Sequence, residues 1–355
     1  MKKITFALLL VMIFGGNVSI AFPVDKNYTK IFTKAEECFV NENYPAALIL
    51  YLRLDSIQPA TPNINFKIGM CYLNSPTYKN KSIPYLEKAV RDVSDNYKEL
   101  SQKEAHAPQS AYFYLARAYH LNNEFDKAIE WYTIYKRVLL QNEKKNLADI
   151  EEMDHNIEQC NNGKELVQHP KNIIVTNLGD GVNTPYPEYS PVVSLDEQTL
   201  IFTSRRPGGV SDYKLPNGQY LEDIYISTFE NDKWGKAQLI SPNINSPDCE
   251  ASINLSADGK NLLVYKDDNG DGNIYVSELK GNEWGVPQYE ISPINSSAWE
   301  THACFSADNK VLYFVSDRLG GFGGRDIYKC LKLPNGKWGP AQNLGETINT
   351  KYDED

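Results

Sequence analysis

From Lys26 to about Val167, apolar side chains recur at intervals of three and four residues, the spacing that gathers them on one face of a helix. Beyond Pro170 the pattern changes to short alternating runs punctuated by Gly, Pro, Asn and Asp, the mark of antiparallel strands joined by turns. The switch predicts an α + β multidomain chain, with a helical domain over 26–167 and a sheet domain over 171–355. Ahead of both, Lys2 and Lys3 precede an apolar run from Ile4 to Gly16 and small residues up to Ala21, which predicts a cleaved secretory signal at 1–21. A bilayer-spanning helix needs about 20 apolar residues, and Gly15, Gly16 and Asn17 break this run first.

A longer period overlies the helical one. A small residue followed three places later by Cys or Tyr recurs at Ala35 to Cys38, Gly69 to Tyr72 and Ala116 to Tyr119. Each leads into a second helix marked by Tyr44, Ala47 and Tyr51, by Ser82, Leu86 and Ala89, and by Phe125, Ala128 and Tyr132. This pattern resembles the tetratricopeptide repeat (TPR), so an α-helical TPR solenoid of three copies is expected. Cys38 to Tyr72 spans 34 residues and Tyr72 to Tyr119 spans 47, which places an insertion around Asp92 to Ala107. Pro84 is expected to interrupt the middle copy, and a helix over 148–160 to cover the last apolar face. Phe32, Phe66 and Phe113 share one repeat position. With Met70, Leu73, Arg117 and His120 they are candidates to line a partner groove on the concave face such a stack exposes. Packing between neighbouring helices accounts for the same phenylalanines.

The second half repeats too. Asn183, Asn245, Asn295 and Asn349 lie 62, 50 and 54 residues apart, and Glu188, Glu250, Glu300 and Glu354 each follow five residues later. The first three copies continue with Ser194, Ser256 and Ser306, then an apolar strand, then Ile224-Tyr225, Ile274-Tyr275 and Ile327-Tyr328, and then Trp234, Trp284 and Trp338. Four short strands per period predict β-propeller blades, three and the start of a fourth. Since rings usually take roughly four to eight blades, the chain is expected to be part of a longer product. Ile173 to Leu178 matches a blade's last strand and is a candidate to close the ring.

Ser256 to Gly259, Ser316 to Tyr328 and Trp338 to Ala341 resemble the TolB-type PD40 (WD40-like) propeller repeat. Joined to a signal and the TPR pattern, they make the chain similar, over about Lys26 to Asp355, to Bacteroidota envelope proteins that include PorE-like type IX secretion components. That resemblance implies a periplasmic, outer-membrane-associated location. OmpA-family members usually carry a C-terminal OmpA-like domain, which this sequence does not contain.

The 46 acidic and 36 basic residues give a net charge of −10, which disfavours nucleic acid, whose phosphates require clustered Lys and Arg. Cys38, Cys71, Cys160, Cys249, Cys304 and Cys330 are widely spaced with no CxxC, so buried free thiols are expected. Asp267 to Glu278 fits a twelve-residue calcium loop with Asp267, Asn269, Asp271 and Asn273 as candidate ligands. A strand beginning at Ile274 would carry Glu278 about 16 Å away, and a hairpin turn explains the same Asp, Asn and Gly residues. Arg206 and Arg318 are expected to pair with Asp223 and Asp326 across a hairpin. Gly320 to Gly324 lacks the Lys of a phosphate loop and no Gly-x-Ser-x-Gly elbow occurs, so neither a nucleotide site nor a hydrolase is expected.

The expectation is therefore a non-enzymatic exported scaffold that binds protein partners in the cell envelope, with peptidoglycan or outer-membrane proteins reached indirectly. Two alternatives stay open: a propeller binding glycan or peptidoglycan fragments, and the non-catalytic part of an enzyme continuing past residue 355. Calcium is the one cofactor left open.

Overall fold

The computed structural model describes residues 26–57, 61–267, 270–289 and 293–354, so the expected signal at 1–21 lies outside the described residues. The chain divides into two compact units at Pro170.

In the first unit, α1 (Lys26–Val40) pairs with α2 (Tyr44–Ile57), α3 (Pro62–Leu73) with α4 (Ile83–Ala89), and α5 (Ala111–Leu121) with α6 (Phe125–Leu139), while α7 (Leu147–Gln168) packs on α6. Two of the hairpins turn at residues with left-handed backbone, Glu42 at φ 58° and Asn123 at φ 61°. Small residues let the helices close: a Cβ on Gly69 would stand 2.6 Å from Leu86 Cγ. Thr61 caps α3 by accepting from Ile64 N at 3.3 Å. Pro84 does not interrupt the middle copy. It sits in the first turn of α4, behind a 3-10 turn at Lys79–Ser82, where a missing N–H costs no helical bond. The last helix also runs past Cys160 to Gln168, and Gly163 on it admits the Phe125 ring, which a Cβ there would meet at 2.7 Å.

The insertion after α4 is itself folded. β1 (Val93–Ser94) pairs in parallel with β2 (Ala107–Pro108), and the intervening loop lies on α3. Asn63 N donates to Ala105 O at 3.1 Å, the Asn63 amide donates to Glu104 O at 3.2 Å, and Tyr97 OH donates to Asn63 Oδ1 at 2.8 Å. With this cover, α3 is buried nearly all round, Asn63, Asn65 and Lys67 included.

The second unit is a run of three antiparallel sheets. The first holds β3 (Glu188–Val193), β4 (Thr199–Ser204) and β5 (Asp223–Glu230), with β6 (Lys233–Trp234) and β7 (Gln238–Leu239) both pairing with β5. The second repeats this with β8 (Glu250–Leu255), β9 (Asn261–Lys266), β10 (Asn273–Lys280), β11 (Glu283–Trp284) and β12 (Gln288–Tyr289). The third has β13 (Glu300–Phe305), β14 (Val311–Ser316), β15 (Asp326–Leu331) and β16 (Gln342–Asn343). Neighbouring sheets share cores: Ile201 and Ile224 meet Leu262 and Val264, while Leu263 and Ile274 meet Leu312, Phe314 and Tyr328. Residues 173–178 form no strand here, and Ile173, Ile174 and Val175 are 70%, 87% and 93% exposed.

Candidate functional site

The seven candidate groove residues separate into two groups. Phe32, Phe66, Met70 and Leu73 are buried, so the groove reading is corrected for them: Phe66 meets Tyr114 of the next hairpin at 5.9 Å, and Phe32 shares a core with Ile64 and Ile68 of α3. Phe113, Arg117 and His120 remain on a partly open face of α5. Phe113 packs at 6.0 Å on Tyr132 and 6.2 Å on Tyr135 of α6, and Tyr112 stacks at 5.8 Å on Trp131. Burial holds His120 below its ordinary pKa, so its ring is uncharged at neutral pH and Arg117 is the cation of this face. Arg117 is exposed and, among the described residues, has no salt-bridge partner. Tyr114, Trp131 and Tyr135 were missed by periodicity, although the run Tyr112-Phe113-Tyr114 carries more aromatic surface than one helix stripe can bury.

A second polar cluster lies beneath the same unit. Lys67 Nζ reaches Glu36 Oε2 at 3.0 Å, Tyr51 OH donates to Glu36 Oε1 at 2.7 Å, and the ammonium sits 4.3 Å from the centre of the Phe39 ring. The three polar groups are buried and mutually satisfied, so the cluster is a core fastening with nothing left to offer a ligand. The neighbouring Cys71 thiol is pushed up by burial, and all six cysteines are free.

In the sheet unit the repeated residues fasten one sheet to the next. Asn245 Oδ1 accepts from Ile224 N at 2.9 Å and its amide donates to Ile224 O at 2.9 Å; Asn295 does the same to Ile274, and Asn349 to Ile327. Each aligned glutamate accepts from the residue four places before it, Thr184, Ser246, Ser296 or Thr350. The expected Arg–Asp pairs do not form. Arg206 Nη2 reaches Glu188 Oε1 and Arg318 Nη2 reaches Glu300 Oε1, both at 3.1 Å, and Lys266 takes the same place against Glu250 at 3.1 Å. Asp223 instead accepts from Val210 N, and Asp326 from Phe322 N, closing the loops ahead of β5 and β15.

The Asp-rich turn is hydrogen-bonded within itself. Asp267 Oδ1 accepts from Gly270 N at 2.9 Å and Asp271 Oδ1 from the Asn273 amide at 2.9 Å. Asn273 is buried at the start of β10, and Glu278 is strand-paired with Asn261, so Glu278 does not return to the turn. Asn269 lies outside the described residues. Among the described residues no three His, Cys, Asp or Glu side chains are grouped to hold a metal ion.

No protein-family model matches the chain, and no curated protein does. Solved structures match in part. The type III secretion translocator chaperone SycD of Yersinia enterocolitica is 12% identical, with a TM-score of 0.32 over 41% of this chain and 90% of its own. The TPR2B domain of yeast Sti1, in a pHsp70 complex, is 15% identical with a TM-score of 0.30 over 38% of this chain and 98% of its own. The Sgt2 TPR domain of Aspergillus fumigatus is 17% identical with a TM-score of 0.29 over 44% and 91%. Likeness at this level does not extend to what those proteins bind.

Proposed function

We propose that the protein is a non-enzymatic scaffold whose helical unit holds a segment of another protein on the α5–α6 face. One observation carries the reading: Phe113 and Tyr114 on α5 and Trp131 and Tyr135 on α6 are left half-buried, and α5 also carries Arg117, an exposed cation with no salt-bridge partner among the described residues. Partly buried aromatics beside an Arg are the residue types that anchor protein interfaces, and the cation favours a segment that brings a carboxylate. The three sheets are the blades of a β-propeller, offering a second surface. The leader at 1–21 exports the chain, and the resemblance to Bacteroidota envelope proteins supports a periplasmic, outer-membrane-associated post in envelope or secretion-complex assembly.

Affinity capture of the full chain from native envelopes, compared with Arg117→Glu, tests both parts. A stable protein that co-purifies from the outer-membrane fraction and is lost with Arg117→Glu, at an unchanged thermal midpoint, is expected. An identical set of captured proteins with parent and variant would overturn the assignment of the face.

A further inference from the structure

At one position the sheet repeat departs from itself in a way its folding does not call for. The residue before the aligned glutamate is Pro187, Cys249 and Asp353 in three copies and Trp299 in the other. Aromatic rings this large usually bury most of their area, yet Trp299 is 45% exposed. It is also held in place. Its Nε1 donates to Tyr265 OH at 3.0 Å, its backbone N donates to Asp317 Oδ1 at 2.7 Å, and the ring edge rests on Gly272, where a Cβ would lie 2.3 Å from Cδ1. Gly272 has φ 55°, so both backbone and ring demand glycine there.

Trp299 helps to line a cavity of about 570 Å³ between the second and third sheets, with Asp271, Ser297 and Asp317 on its wall and Leu319 at its rim. Small-molecule sites span roughly 300–1,000 Å³ and combine an aromatic surface with a few polar groups. The segment joining β9 to β10 covers only 267–272, against 205–222 in the first sheet and 317–325 in the third. Each carboxylate spends Oδ1 on a protein donor, Asp317 on Trp299 N and Asp271 on the Asn273 amide, leaving a second oxygen to accept from a ligand. Arg325 stands 5.7 Å from the Trp299 ring centre, paired to Asp353 at 3.6 Å. A guanidinium already at the ring disfavours a second cation; Arg318, which also lines the cavity, is committed to Pro293 O, Ile294 O and Glu300, so the two carboxylates disfavour an anion. The ligand chemistry that remains is neutral, rich in hydroxyl donors, and flat and apolar on one side.

We propose that this cavity binds a neutral saccharide, one pyranose ring stacked on Trp299 and its hydroxyls donating to Asp271 and Asp317. The site is separate from the α5–α6 face, and its test does not depend on what that face holds. The full chain is titrated with cellotriose, maltotriose and triacetylchitotriose, and with trilysine as a cationic control, by calorimetry and tryptophan fluorescence. Saturable binding of at least one sugar below about 5 mM is expected, weakened about tenfold or more in Trp299→Ala and about threefold or less in Trp299→Phe, which keeps a stacking face. Should Trp299→Ala lose its folded circular dichroism, Asp317→Asn, which keeps the oxygen facing Trp299 N, is expected to weaken the sugar about threefold or more. Failure of all three sugars to saturate, binding unchanged in the folded Trp299→Ala or in Asp317→Asn, or saturation by trilysine alone would each overturn the proposal.

Discussion

Glu300 is the most heavily used of the four aligned glutamates, and removing its carboxylate tests whether these residues fasten the sheets. The side chain is fully buried. Oε1 accepts from Ser296 Oγ at 2.8 Å, Ser316 Oγ at 2.7 Å and Arg318 Nη2 at 3.1 Å, and Oε2 accepts from Ser296 N at 2.9 Å. In Glu300→Ala the two hydroxyls can turn to other acceptors, and Arg318 keeps the carbonyls of Pro293 and Ile294. What is lost outright is the counter-charge of a guanidinium whose side chain is 17% exposed, together with the partner of Ser296 N. Removing one member of a buried pair costs about 3–5 kcal/mol, and the retained carbonyls put this case near 3. For a unit of this size each kcal/mol moves the midpoint by about 2–4 °C, so a fall of roughly 6–12 °C in the sheet-unit transition is expected by circular dichroism or scanning calorimetry. Glu354→Ala, whose Thr350 contacts are exposed, should cost about 1 kcal/mol or less. Glu300→Gln, keeping one acceptor and the volume, should fall between. A Glu300→Ala midpoint within about 2 °C of the parent, or no lower than that of Glu354→Ala, would refute the reasoning.

Asn295→Ala removes the amide that bonds both backbone groups of Ile274 and should cost about 1–3 kcal/mol; undiminished hydrogen-exchange protection at Ile274 would contradict this. Burial raises the Asp223 carboxyl to about 6. The folded state therefore holds more protons than the unfolded one between about pH 4 and 6, and this group's contribution to stability falls as pH rises through that window. Asp223→Asn should raise the midpoint relative to the parent at pH 7 and lose that gain at pH 4, and equal differences at the two pH values would count against it. Tyr97→Phe removes the hydroxyl bonded to Asn63, so a loss of about 1 kcal/mol and faster protease cleavage within 92–107 are expected; unchanged cleavage there would show that the bond does not hold the insertion.

The two periodicities were legible because they follow from where side chains point. Three-residue recurrence sets the helix stripe at Ala35, Gly69 and Ala116, and the Asn-to-Glu spacing of five sets the sheet repeat. Which partner a repeated residue takes was not legible. Asp326 stands opposite Ser316 in the antiparallel register, which makes it look like the natural partner for Arg318 two residues on. The guanidinium turns the other way, toward Glu300 on β13, the strand on the opposite side of β14. Sequence offset along one hairpin carries no information about the third strand, so the Arg–Asp expectation failed for a topological reason. The insertion at Asp92 to Ala107 was visible as extra length, but its seat on α3 depends on Asn63 and Tyr97, whose types mark nothing on their own.

The same distinction separates fastening residues from those free to bind. A position that holds the same residue in every copy and satisfies its own polar atoms inside the sheet, as Asn295 and Glu300 do, has no chemistry left for a ligand. Trp299 holds its place with two hydrogen bonds, yet Pro187, Cys249 and Asp353 fill the same slot in the other copies. The other copies thus act as an internal control: they show that the fold does not need an aromatic there. Phe113 answers to the same logic in the helical unit, where Phe32 and Phe66 show the buried form of the position and Phe113 alone of the three remains on a partly open face beside Arg117. In this chain both proposed sites sit where one copy differs from its siblings, in residue type at Trp299 and in exposure at Phe113.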